Sequence, residues 1–252
     1  MTALLVDPWF WVLGIPAVIL LGLAKGGFAG IGNLSMPLFV LAVPPVQAAA
    51  ILLPILIVQD AVSVWAFRRS WDGHVLAVTL PGAVIGVALG YAFAASLNET
   101  WVMGALGLIS LVFAGQQLWA SRGGRIAPAR MLPDWIGVLC GTGAGLTSQI
   151  AHAGAPPFQI WTMPRRMDRD MLVGTTAIFF ATLNWIKVPA YAALGQFTRT
   201  NMIASAALLP VATIATFAGV RLVRRVSAER FYTVVYVLMV LLGVKLLWDA
   251  LS

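Results

Sequence analysis

Thr147-Ser148-Gln149-Ile150-Ala151-His152-Ala153-Gly154-Ala155-Pro156-Pro157 interrupts an apolar run with small and polar residues and restarts it through proline. In the other half of the chain, Lys25-Gly26-Gly27-Phe28-Ala29-Gly30-Ile31-Gly32-Asn33-Leu34-Ser35-Met36-Pro37 does the same. Hydrocarbon tolerates non-helical backbone only where protein buries it or a watery cavity bathes it, so both stretches predict breaks on a pathway inside a membrane. Paired interruptions at matching places in two halves point to a transporter's binding site.

The composition around them agrees. The 252 residues are 60% hydrophobic and only 10% charged, with a mean hydropathy of +0.91. That excludes a soluble domain, which needs a charged shell, and predicts an all-α polytopic membrane protein. The longest connection, 121–132, is rich in Arg, Gly and Pro and too short to fold alone, so residues 1–252 read as a single transmembrane domain. The net charge of +7 would suggest nucleic acid in a soluble chain. Here it reads as basic loops that set topology, with the bilayer as partner and no nucleic acid. Cys140 is the only cysteine, which excludes an internal disulfide and any cysteine metal motif. The N-terminus has no basic residue before its apolar stretch, so it reads as a first span and not as a removed signal peptide.

Apolar runs cover 8–24, 45–67, 75–97 and 101–120 in the first half and 135–146, 171–194, 202–220 and 231–251 in the second. After each break comes a run too short to cross about 30 Å, at 34–43 and 158–163, which predicts half-helices. Each half is therefore one span, a break with a half-helix, and three more spans. Repeat 1 covers about 1–121, a basic linker about 122–132, and repeat 2 about 133–252. Aligning Ala48-Ala49-Ala50 with Val173-Gly174-Thr175 puts Gln59 opposite Asn184. Five elements per copy is an odd number, so the copies run in opposite directions, as two inverted repeats.

Charge tests that count. If the half-helices count as crossings, one face collects Lys25, Arg68, Arg69, Arg122, Arg125, Arg130, Arg165, Arg166, Arg169, Arg221, Arg224, Arg225 and Arg230. The other receives Arg199 beside Asp7 and Glu99. Ignoring the half-helices destroys this bias. The positive-inside rule thus favours ten elements with both termini outside, although a re-entrant geometry remains open.

Half-helices running in opposite directions can bring their N-termini together near the midplane, where free N–H groups and positive dipole ends favour an anion. Asn33 and Ser35 are candidate caps for the first. Gly154, Pro156 and Pro157 would open the second, and glycines such as Gly32 let backbone approach a ligand. The alternative for the glycines is tight helix packing. Lys187 and His152 are candidates for positive charge or hydrogen bonds to an anion. Their alternatives are snorkelling for the lysine and a plain structural hydrogen bond for the histidine. Asp60 is a candidate for coupling to a proton or for a structural ion pair. Gln59 and Asn184 would line the cavity from both sides, with Gln149, Thr175 and Thr176 as further candidates.

Enzyme readings lack their residues. Two histidines without an H-E-x-x-H pattern make no metalloprotease, and Gly30-Ile31-Gly32 follows no strand. No P-loop is present, and neither a metal nor a cofactor is expected. Against a transporter stand an anion channel, a membrane-embedded enzyme and an assembly subunit.

The first break and the run Ser148-Gln149-Ile150-Ala151-His152-Ala153-Gly154-Ala155-Pro156-Pro157-Phe158-Gln159 resemble the sulfite exporter TauE/SafE family of permeases. So do Gln47-Ala48-Ala49-Ala50, Gly174-Thr175-Thr176 and Asn184-Trp185-Ile186-Lys187-Val188-Pro189. The resemblance spans nearly the whole chain. It implies a bacterial inner-membrane, multi-pass transporter for small sulfur-containing or related organic anions. Asn33-Leu34 and Ala155 stand where relatives often carry glycine, which bears on pocket size.

Overall fold

The computed structural model describes residues 3–28, 31–94, 99–122, 131–222 and 229–251. Ala29 and Gly30 of the first break, Asn98, and the arginines Arg125, Arg130, Arg224 and Arg225 of the charge count lie outside the described residues. A short α1 (Ala3–Val6) leads into α2 (Pro8–Lys25), a 3-10 turn (Ile31–Leu34), α3 (Ser35–Phe39), α4 (Pro45–Phe67), α5 (Gly73–Ala94) and α6 (Glu99–Arg122). The second half runs α7 (Asp134–Ala151), α8 (Ala155–Thr162), a 3-10 turn (Met163–Arg165), α9 (Arg169–Ala193), α10 (Arg199–Leu222) and α11 (Glu229–Leu251). Among the described residues every regular element is helical.

Five of these helices, α2, α4, α5, α9 and α10, are long and apolar enough to cross a membrane, and α6 carries a shorter apolar segment, Thr100–Gln116. Large side chains such as Trp9, Ile85, Leu108 and Ile214 point outward and stay exposed, as a lipid-facing surface requires. Each of the five long helices holds an interior proline, Pro16, Pro54, Pro81, Pro189 or Pro210. Membrane helices tolerate this because neighbouring side chains can take up the freed carbonyls. The middle of the bundle is α4. Its residues Ala48, Ala50, Ile51, Leu52, Leu53 and Ile55 are fully buried, so this stretch is apolar all round, as a central helix must be.

Helix pairing is crosswise: α7 packs along α5, α2 along α10, α4 along α9, and α6 along α11. The α5/α7 contact is backbone on backbone. A Cβ added to Gly82 or Gly86 of α5 would strike the Val138 or Thr142 carbonyl, and one added to Gly141 or Gly145 of α7 would strike the Thr79 or Ala83 carbonyl. Glycines at every fourth position on both helices permit this approach, as small residues do at membrane interfaces. Gly141 and Gly145, just ahead of the second break, therefore serve packing.

For that reason α7 stays helical through Thr147 and Ser148, and the interruption shrinks to His152, Ala153 and Gly154. The first half-helix is also shorter than the expected 34–43. The α3 helix holds only five residues, and after Val40 the chain turns toward Pro44 and Pro45, which disfavour further helix.

Candidate functional site

The two breaks meet. Gly27, Gly32 and Asn33 of the first and Ser148, His152, Ala155 and Gln159 of the second border one cavity of about 100 Å³. Leu56 and Ser63 of α4 and Thr176, Phe180 and Asn184 of α9 complete the wall. The space suffices for several waters or one small anion.

The α2 helix ends here in a Schellman turn. Gly27 has φ 120°, its N–H reaches the Ala24 carbonyl at 3.0 Å, and the Phe28 N–H reaches the Leu23 carbonyl at 3.2 Å. This geometry turns the chain sharply at Lys25, the one charged side chain among the described residues lining the cavity. Lys25 Nζ forms an ion pair with Asp60 Oδ1 on α4 and lies 5.1 Å from the centroid of the Phe180 ring. The other oxygen of Asp60 accepts a hydrogen bond from Asn184 Nδ2 at 2.6 Å. Ser63 Oγ donates to the Lys25 carbonyl at 2.6 Å, satisfying a group that the helix end would leave bare.

A second lysine stands behind the opposite wall. Lys187 on α9 is fully buried. Its Nζ donates to the Ser148 carbonyl at 3.2 Å and to Ser148 Oγ at 3.0 Å, and lies 2.7 Å from His152 Nδ1. Three acceptors meet the three donors of an ammonium group. With Nδ1 accepting, the imidazole proton sits on Nε2, which donates to the Ala49 carbonyl at 2.8 Å. His152 itself is left-handed, φ 52°, an unusual conformation for a side chain bearing a Cβ. The ring's two hydrogen bonds hold it there, and such strain concentrates at functional positions.

The sequence candidates thus divide. Gly32, Asn33, His152 and Asn184 line the cavity. Lys187 stands behind Ser148 and His152, and Asp60 behind Lys25. Ser35 does not cap α3. Its Oγ donates across to the Ala17 carbonyl at 2.7 Å, and the residue before α3, Leu34, offers no side-chain cap. Gln59 does not line the cavity, because Nε2 ties α4 to α2 and α10 through the Val18 and Ala212 carbonyls at 3.3 and 3.2 Å. Thr175 donates to the Met171 carbonyl at 2.7 Å and accepts from the Asp72 N–H at 2.9 Å, so it fastens a loop. Gly154 lies under the Ala144 carbonyl and Phe180, where a Cβ would not fit. Gln149 borders a different cavity.

The helix ends also supply less than expected. The α3 helix is too short to present an ordered set of N–H groups, and α8 begins Ala155-Pro156-Pro157, where two of the first donors are missing. What replaces them is side-chain chemistry that sequence reading passed over. Lys25 had counted only toward topology, and Gln159 and Ser148 were not singled out. The Asn33 Nδ2 and Gln159 Oε1 atoms are buried without a hydrogen-bond partner. An amide can present either atom, so both are available to a ligand. Among the described residues no group of His, Cys, Asp or Glu could hold a metal ion.

Apolar helices long enough to span a bilayer, with breaks that meet at a largely apolar hollow holding a few polar side chains, define a multi-pass membrane permease. Residues 14–246 match the sulfite exporter TauE/SafE family, and the chain belongs to that family. No curated protein and no solved structure matches the chain.

Proposed function

We propose that the chain is a secondary transporter that exports a small sulfur-containing or organic anion, of the sulfite or sulfonate kind, through the cavity beside Lys25. The observation that carries this is a sum of charges. Among the described residues Lys25, part-exposed, and the buried Lys187 and Asp60 are the ionisable groups around the cavity; with both lysines protonated and His152 neutral they would leave one positive charge in excess. An uncompensated charge inside a membrane protein is expensive, and a bound anion removes the cost. Lys25 would bind the anion directly. Asn33, Gln159 and Asn184 would complete its shell, and Lys187 would act through space.

The two halves act as inverted repeats rocking around this site. Supporting that are the crosswise pairing of α2 with α10 and α7 with α5, and a matched way of holding the broken ends. Ser63 of α4 holds the last carbonyl of α2, while Lys187 and Tyr191 of α9 hold the Ser148 and Gln149 carbonyls of α7. Residues 1–252 form one membrane domain, set in the plasma membrane with the basic loops inside and both termini outside.

Purified chain in liposomes should show saturable sulfite flux and accelerated exchange when unlabelled sulfite is present on the far side. Sulfite should also raise its melting temperature by mass action. Flux without saturation or exchange would point to a channel. No flux and no thermal shift with sulfite, thiosulfate, sulfonates or carboxylates would overturn the proposal.

A further inference from the structure

Ala49, Gly90, Gln149, Tyr191 and Gln196 border a second cavity of about 80 Å³. The α4 helix passes this space at Ala49 and the Lys25 cavity at Leu56 and Ser63, while α9 passes it at Tyr191 and the Lys25 cavity between Leu172 and Asn184. At about 1.5 Å per residue, Ala49 and Leu56 are about 10 Å apart along the α4 axis. The two spaces are therefore stacked along the same pair of helices, toward opposite ends.

A thin partition separates them. His152 faces the Lys25 cavity, and its Nε2 donates to the carbonyl of Ala49, which borders the second one. Tyr191 stacks on the imidazole at 6.1 Å between centroids and donates its hydroxyl to the Gln149 carbonyl at 2.9 Å.

Gln149 is 4% exposed. Its Oε1 is buried without a partner. A buried amide left unpaired costs free energy that a ligand's hydrogen bonds recover. Gly90 makes room for this side chain, since a Cβ there would come within 2.8 Å of Gln149 Cβ. No charged residue is among the described residues bordering the space, so neutral donors would hold an anion more weakly than Lys25 does.

We propose that this second cavity is a second station for the transported anion, with Gln149 as its binding side chain. The anion enters it when His152 Nε2 releases the Ala49 carbonyl. Lys25 captures the anion and the uncharged station lets it go, which gives the pathway a steep side and a shallow side. The inference rests on the transport reading above.

The test uses the full chain with three substitutions. Gln149→Leu removes the amide, Gln149→Glu places a like charge in the station at nearly the same volume, and Lys25→Met removes the first site. Sulfite-induced thermal shift reads capture, and sulfite flux in liposomes reads passage. Both Gln149 variants should keep the parent's thermal shift while flux falls by about tenfold or more. Lys25→Met should lose both. Should Gln149→Leu melt early without ligand, Gln149→Glu decides. Parental flux in a stably folded Gln149→Glu chain overturns the second station and leaves the transport reading standing. A parent chain that neither binds nor moves sulfite or methanesulfonate overturns both.

Discussion

Lys187 Nζ lies 2.7 Å from His152 Nδ1, with the Ser148 side chain and carbonyl completing the ammonium's acceptors. A fully buried lysine thus stands one side chain behind the cavity wall, and the His152 imidazole covers it. The lysine fastens the broken end of α7 to α9, and in the proposed transporter its charge would add to the field in the hollow.

Substituting Lys187 by Met keeps most of the volume and removes the charge. The buried groups around the cavity then sum to zero, and sulfite affinity should fall by about tenfold or more, read from the ligand concentration needed to raise the melting temperature. The unliganded chain should also melt earlier, because the Ser148 carbonyl and His152 Nδ1 lose their donor.

Asp60 pairs with Lys25, so in the proposed transporter it would compete with the substrate for that lysine. Asp60→Asn keeps a partner for Asn184 but gives the hollow a second positive charge in excess. Sulfite should bind about tenfold more tightly, and turnover should slow because release becomes harder. If Asp60 also carries the coupled proton, the variant loses the pH dependence of flux. A pH profile identical to the parent's removes that role.

Gly141 and Gly115 form a contrasting pair. Gly141→Ala would drive a methyl group into the Thr79 carbonyl of α5, whereas a Cβ at Gly115 meets nothing within 4 Å. Gly141→Ala should destabilise the chain by about 1–3 kcal/mol, and Gly115→Ala should stay within about 0.5 kcal/mol of the parent. Thermal unfolding in one detergent compares them. Equal melting temperatures would contradict the close α5/α7 approach.

Tyr191→Phe removes the hydroxyl that the Gln149 carbonyl accepts from. A loss of about 1 kcal/mol is expected, with sulfite affinity at the Lys25 cavity unchanged. The same melting curves, with and without sulfite, read both.

How much of this was legible follows from which residues have local meaning. The glycine-proline interruptions announce themselves because an apolar run has few other uses for Asn33 or His152, and both reach the cavity. The class of helical membrane protein followed from apolar runs alone. Gly141 and Gly145 carried no local sign of their role, because a glycine that unwinds a helix and one that seats a neighbour look alike in sequence. Their partners Gly82 and Gly86, far along the chain, decide between the two. Lys25 was visible but ambiguous, since a lysine at the end of an apolar run is ordinary loop charge until Asp60 and Phe180 are found around it. The expected repeat would put Gln59 opposite Asn184, yet one ties backbones together and the other faces the hollow.

The paired prolines at the head of α8 set a limit on how this protein can move. Pro156 and Pro157 carry no N–H with which to reach back to His152 and Ala153, so fusing α7 and α8 into one rod would leave two successive carbonyls without their helical donors, where each interior proline elsewhere leaves one. In the proposed transport cycle the cheaper course is for α7 and α8 to swing as separate rods about this joint, with the joint left unwound.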